Sequence, residues 1–165
     1  MSSTPRQDPF SPGGISFTPV SPSLIPVRLI SAALGLLPLL LAGVVLGLVV
    51  HRTLWALAGL ALVVFAWLLW LVPRQVRALG YAEAADDLLI RRGIMFKTMS
   101  IVPYGRMQFV DVHQGPLDRL FGISQVQLHT AAATTDAVLP GLPAAESARL
   151  RDRLTARGEA RLAGL

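Results

Sequence analysis

The sequence predicts a two-helix transmembrane hairpin followed by one small α+β domain, an antiparallel sheet closed by a single C-terminal helix. Three observations carry that prediction. Two uncharged apolar runs, Leu29–Val50 and Leu54–Val72, stand three residues apart. Beyond them, short strand-like stretches punctuated by Gly and Pro continue to about Leu142. The last segment then changes to helical spacing, with Arg149, Arg153 and Arg157 recurring every fourth residue.

The apolar runs hold 22 and 19 residues. About 20 residues at 1.5 Å rise cross a hydrocarbon core roughly 30 Å thick, so each run is long enough to span. Only His51, Arg52 and Thr53 separate them, which requires a tight antiparallel hairpin. A signal peptide is shorter, lies nearer the N-terminus and is not followed at once by a second span. Trp55 stands at the loop end of the second run, with Trp67 and Trp70 toward its other end. Tryptophan favours both membrane–water interfaces. Gly43 and Gly47 form a small-xxx-small pair that permits close helix approach, either within the hairpin against Gly59 or between two copies of the chain. Pro38 is expected to kink the first span, a feature membrane helices tolerate. Residues 1–28, rich in Pro and Ser, read as a disordered tail with too little apolar surface to offset ordering.

The water-soluble part begins near Gly80. Tyr81–Ala85 and Leu88–Arg92 read as strands around an Asp86-Asp87 turn, where Asp is favoured by its own backbone hydrogen bonds. Ile94–Val102 and Met107–His113 read as the next strands, and Leu117–Phe121 as a helical turn ended by Gly122. Ile123–Thr130 alternates apolar and polar residues, the signature of a half-buried strand. Ala137–Leu139 reads as a last short strand before Pro140-Gly141. A helix from Pro143 to Arg157 follows, with Pro in its first turn, Glu146 near its positive end and Gly158 as its stop.

From Pro73 onward the chain carries twelve basic residues against nine acidic. A basic domain tethered to a membrane is attracted to anionic lipid by about 1 kcal/mol per surface-proximal cation. Nucleic acid is not an expected partner, because no basic stripe interleaved with aromatics and no binding motif occurs. With no cysteine, disulfides and thiolate chemistry are excluded. Neither a nucleophile elbow nor a phosphate-binding glycine loop is present. His51, His113 and His129 lack metal-ligand spacing, although His113 and His129 are placed to face one another on neighbouring strands. No catalytic residue, metal site or cofactor is therefore expected. One Arg on the hairpin loop stands against Arg28, Arg74, Arg77, Arg91 and Arg92 on the other side, and the positive-inside rule then places both termini in the cytoplasm.

The run Ile101-Val-Pro-Tyr-Gly-Arg-Met-Gln-Phe-Val-Asp-Val-His-Gln-Gly-Pro-Leu-Asp-Arg-Leu-Phe-Gly-Ile123, continued by His129-Thr130-Ala131, Leu139-Pro-Gly-Leu142 and Arg149-Leu-Arg-Asp-Arg-Leu154, resembles the bacterial pleckstrin-homology-like (PH-like) domain of YdbS-like membrane proteins. The resemblance covers about residues 29–154. It implies two N-terminal spans before a PH-like domain at about 80–160, an antiparallel, partly closed barrel or sandwich capped by one C-terminal helix. It implies no phosphoinositide binding, because fold is not function.

The function expected is a non-enzymatic, membrane-anchored interaction or scaffolding domain at the inner face of a bacterial cytoplasmic membrane. The alternatives are a lipid-headgroup-sensing regulatory module and an envelope enzyme or transporter subunit. Candidate contacts with anionic lipid or an unidentified protein partner are Arg91, Arg92, Lys97 and Arg106 beside the turns, and Arg149, Arg153 and Arg157 on the last helix. Arg119 is expected either to pair with Asp111 or Asp118 or to present its charge at the barrel rim.

Overall fold

The computed structural model of the chain describes residues 15–131 and 136–163, with side chains to residue 160. Residues 1–14 of the expected tail lie outside the described residues. The remainder of that tail is ordered. Strand β1 (Thr18–Pro19) pairs with a later strand, and helix α1 (Leu24–Val49) starts five residues before the uncharged run. Pro26 falls in the first turn of α1, where its missing N–H breaks no helical bond.

A 3-10 turn (Arg52–Leu54) joins α1 to α2 (Trp55–Arg77). His51 Nδ1 accepts a hydrogen bond from the Thr53 amide at 3.3 Å and so caps the turn. The helices pack antiparallel through glycine. A Cβ on Gly43 would overlap the Ala58 amide nitrogen, and one on Gly47 would stand 2.7 Å from Trp55 Cδ1. The small-xxx-small pair therefore works within the hairpin. Ala58 and Trp55 face it, whereas Gly59 faces open space. Of the most apolar windows of the two helices, only 11% and 17% of residues are buried in the protein, unlike core helices of a soluble fold.

The second helix continues through Pro73 to Arg77, and its end leads straight into the sheet. Strands β2 (Gly80–Glu83), β3 (Asp87–Arg92) and β4 (Thr98–Pro103) follow, giving an antiparallel sheet in the order β1-β2-β3-β4. The stretch expected as a strand from Ile94 begins instead as a turn. Gly93 adopts φ +97°, and a Cβ there would overlap the Phe96 carbonyl oxygen. A second antiparallel sheet contains β5 (Met107–His113), β6 (Ile123–Thr130) and β7 (Ala137–Pro143), with the short helix α3 (Pro116–Leu120) between the first two. No ladder joins β4 to β5 among the described residues, so the expected partly closed barrel is two separate sheets.

The last strand runs past Pro140-Gly141 because these residues form a bulge. Ser124 pairs with Leu142 and Val126 with Leu139, leaving two residues of β7 opposite one of β6. Gly141 supplies the positive φ and touches Leu24 of α1. Helix α4 (Ala144–Ala163) also outruns its expected stop. Gly158 is buried in ordinary contact with the Tyr104 carbonyl, and the helix runs through it.

The core between the sheets contains Leu88, Ile90, Val102, Tyr104, Ile123, Val126, Leu128, Leu139 and Leu142, with Leu150 and Leu154 from α4. Val20, Leu24, Val27, Val72, Val76 and Leu79 belong to the same cluster. The domain-side ends of both apolar helices are thus part of the domain core.

Enlarging Gly43 tests the hairpin packing. Gly43→Val is expected to destabilise it by about 1–3 kcal/mol, the usual cost of overpacking. Gly59→Val, which meets open space, is expected to have little effect. Thermal unfolding of the purified full chain in detergent distinguishes the two.

Candidate functional site

The β3–β4 hairpin has two ends with different chemistry. Arg92 pairs with Thr98 at one end and Asp87 with Pro103 at the other. At about 3.3 Å per residue the ends lie roughly 17 Å apart. The candidate cations divide between them.

At the Arg92 end, the turn presents Ile94, Met95 and Phe96. Met95 is 85% exposed and Phe96 82%. Three successive large apolar side chains in a turn have no role in the domain's own core. They stand beside α2, because Trp67, Leu71, Gln75, Arg28, Arg92, Ile94, Met95 and Phe96 line one cavity of about 700 Å³. Trp67 lies ten residues inside the end of α2, so the turn reaches along the helix toward its apolar stretch. Helix α3 lies against α1 and adds Leu120, which is 77% exposed. The Arg74 guanidinium stacks 3.6 Å over the Trp70 ring at the same end of α2.

Successive strand residues point to opposite faces, and Arg91 and Arg92 part accordingly. Arg91 lies over the Phe17 ring at 4.7 Å. Arg92 turns into the cavity, where its Nη2 donates to the Val138 carbonyl at 3.1 Å and its Nε is buried without a partner. Lys97 is exposed in the turn.

At the far end, the basic band expected on α4 meets carboxylates and carbonyls. Arg153 Nη1 donates to both oxygens of Glu83, at 3.1 and 3.2 Å. Arg157 Nη1 donates to the Ala84 carbonyl and to the Tyr104 hydroxyl, at 3.2 and 2.8 Å. The Tyr104 hydroxyl in turn donates to the Ala84 carbonyl at 3.1 Å. Arg153 and Arg157 thus fasten α4 to the β2–β3 turn. Arg149 pairs within α4 with Glu146, which also accepts from the Tyr81 hydroxyl at 3.0 Å, and this pair lies toward the helix end of the sheet, since Tyr81 stands opposite Ile90. Arg106 is exposed in the 3-10 turn between β4 and β5, also at the far end.

Other expected pairs are rearranged. His113 lies opposite Gln125 and His129 opposite Phe109, so the two histidines stand at opposite ends of the β5–β6 ladder. His129 stacks on Phe109 and pairs with Asp136 at 2.9 Å. Asp118 accepts from the Gly115 amide at 3.2 Å and not from Arg119. Among the described residues no group of three metal-ligating side chains converges.

Sequence reasoning missed Arg28, Trp67 and the Ile94–Phe96 tip as site residues. The tip carried a signal, three bulky apolar residues directly after a glycine. Arg28 carried none, because α1 appeared to begin after it.

A lipid-exposed helical hairpin continuous with two antiparallel sheets and a C-terminal helix defines a membrane protein with a PH-like domain. Residues 25–158 match the family model described as Bacterial PH domain, and the chain belongs to that family. It is also 36% identical over 75 residues to the UPF0699 transmembrane protein YdbS of Bacillus subtilis (strain 168). The aligned stretch covers 46% of this chain and 46% of that relative, so the chain matches about half the relative's length. No solved structure matches the chain.

The Tyr81 phenol gives a pH test of the α4 clasp. Its pKa is pushed up to about 12, chiefly by burial and then by the hydrogen bond and charge of Glu146. A raised folded-state pKa means stability that is present below the unfolded value of about 10 and lost as pH climbs toward 12. Tyr81→Phe is expected to cost about 1.5–3 kcal/mol at pH 8, the worth of a hydrogen bond to a charged group. That deficit is expected to shrink between pH 10 and 12. Melting temperatures of both proteins across this range check it.

Proposed function

We propose that this chain is a non-enzymatic interaction domain held rigidly on the cytoplasmic face of the bacterial cytoplasmic membrane. The observation that carries the reading is the exposed Ile94-Met95-Phe96 tip beside Trp67, on a domain whose core includes the ends of both spanning helices. A flexible tether would leave a PH-like domain free to turn. A shared core fixes it, and the tip then meets the bilayer surface. Burying two large apolar side chains in the acyl boundary adds roughly 3–6 kcal/mol.

The charge distribution supports the cytoplasmic side. Arg28, Arg74, Arg77, Arg91 and Arg92 cluster near the domain-side helix ends, against Arg52 alone in the hairpin loop. The far end of the domain, with Arg106, Arg153 and Arg157, points away from lipid and is the surface offered to a protein partner. Such a partner docks on a platform of fixed height and orientation. In this reading the anionic character of the inner leaflet reinforces docking through the tip-end cations.

The cysteine-free chain suits site-directed labelling. A spin label at Phe96→Cys in the full chain, reconstituted in phosphatidylcholine–phosphatidylglycerol nanodiscs, is expected to be reached by oxygen and shielded from a water-soluble nickel relaxer. A label at Arg106→Cys is expected to behave oppositely. Equal exposure of both labels to nickel would refute membrane docking. Reporter fusions after Thr53 and after Leu165 test the sidedness independently, with the C-terminus expected in the cytoplasm.

A further inference from the structure

The cavity under the tip has an unusual wall. Trp67, Leu71, Ile94 and Phe96 make it largely apolar, yet among the described residues two guanidiniums, Arg28 and Arg92, line it and no carboxylate does. Among the described residues Arg28 has no hydrogen-bond, ion-pair or ring partner. Arg92 satisfies one nitrogen on the Val138 carbonyl and leaves Nε buried and unpaired. Holding a half-buried cation pair without a counter-charge is unfavourable, because each unmet charged donor keeps its desolvation cost. An anion seated between them removes that cost, and guanidiniums match phosphate oxygens with paired hydrogen bonds. The volume, about 700 Å³, falls in the range of small-molecule sites and exceeds what a bare phosphate needs. The exposed faces of Trp67 and Phe96 continue the apolar wall outward along α2.

We infer that this cavity binds one anionic phospholipid of the bilayer, its phosphate held by Arg28 and Arg92 and an acyl chain laid along Trp67 and Leu71. The inference rests on the docked reading, since the cavity opens to lipid only if the tip lies at the membrane surface. It turns that reading from general attraction to an anionic leaflet into recognition of a single lipid molecule.

The test is lipid retention by the delipidated full chain in neutral detergent, read by native mass spectrometry during titration with dioleoylphosphatidylglycerol. One lipid per chain is expected to bind at least about tenfold more tightly than dioleoylphosphatidylcholine, a difference of about 1.4 kcal/mol. The double variant Arg28→Gln, Arg92→Gln is expected to weaken binding about thirtyfold, from roughly 1 kcal/mol per cation. Arg106→Gln at the far end is expected to change nothing. Thr98→Phe, which fills the cavity from an exposed strand position, is expected to block the lipid with both arginines in place. Melting temperature accompanies each variant, and if the double variant does not fold, Thr98→Phe decides. Unchanged phosphatidylglycerol retention by a folded variant overturns the site, as does equal binding of phosphatidylcholine. Inorganic phosphate or glycerol 1-phosphate binding as tightly as the lipid overturns the lipid source in favour of a soluble phosphate. If lipid recognition fails while the Phe96 label stays in the bilayer, only the cavity assignment falls. If the label is in water, the docked reading falls, whatever the detergent titration shows.

Discussion

Leu24 and Val27 from one apolar helix, and Val72, Val76 and Leu79 from the end of the other, are packed into the same core as Ile90, Val126 and Leu142. At roughly 2 kcal/mol for each buried aliphatic side chain, this junction contributes on the order of 10 kcal/mol. That is comparable to the whole stability of a small domain. The other features follow from it. Strand β1 lies on β2 because the chain must pass the sheet before entering α1, and the Ser21 amide bonds to the Gly141 carbonyl at 2.8 Å on the way. The bulge at Pro140-Gly141 exists where Leu24 presses on the strand, and only glycine leaves room there. With the sheet fixed to the helix ends, the β3–β4 turn has a fixed height, and its apolar tip is carried beside Trp67.

The same constraint sorts the basic residues. A cation count treats them as one population attracted to anionic surfaces. The fold separates them by about one strand length into a group at the helix ends and a group at the far end. The far-end arginines on α4 meet Glu83 and the Ala84 carbonyl, and Arg149 meets Glu146 within its own helix, so their charge is matched within the domain. Glu146 is held below the usual carboxylate range chiefly by its bond to Arg149. Among the described residues, the tip-end arginines meet an aromatic ring, one carbonyl or no partner. Net charge alone could not have separated these groups, because their partners come from other parts of the chain.

Much of the architecture was legible in the sequence. The uncharged runs marked the spans, since a buried helix pair of a soluble fold is seldom apolar all round over that length, and the alternation of Ile123–Thr130 marked β6. What failed were boundaries set by tertiary contact. The uncharged runs put the spans at Leu29 and Val72, but α1 begins at Leu24 with Pro26 in its first turn, and α2 carries Pro73 on to Arg77. Pro140-Gly141 looked like a strand end and is a bulge, and Gly158 looked like a stop and is a buried position within α4. The candidate site was less legible than the fold. Its cavity is assembled from α1, α2, the β3–β4 turn and β7, and no local pattern announces that Arg28 and Arg92 share a wall.

The central claim is that the domain is not separable from the ends of its membrane helices. It is tested most directly by excising the chain from Gly80 to Leu165 and recording its amide NMR spectrum in water. A fragment deprived of Val20, Leu24, Val27, Val72, Val76 and Leu79 is expected to lack fixed packing, with collapsed, poorly dispersed resonances and no cooperative thermal transition. A dispersed spectrum and a sharp transition from that fragment alone would show that the domain folds without the junction, and would contradict the account.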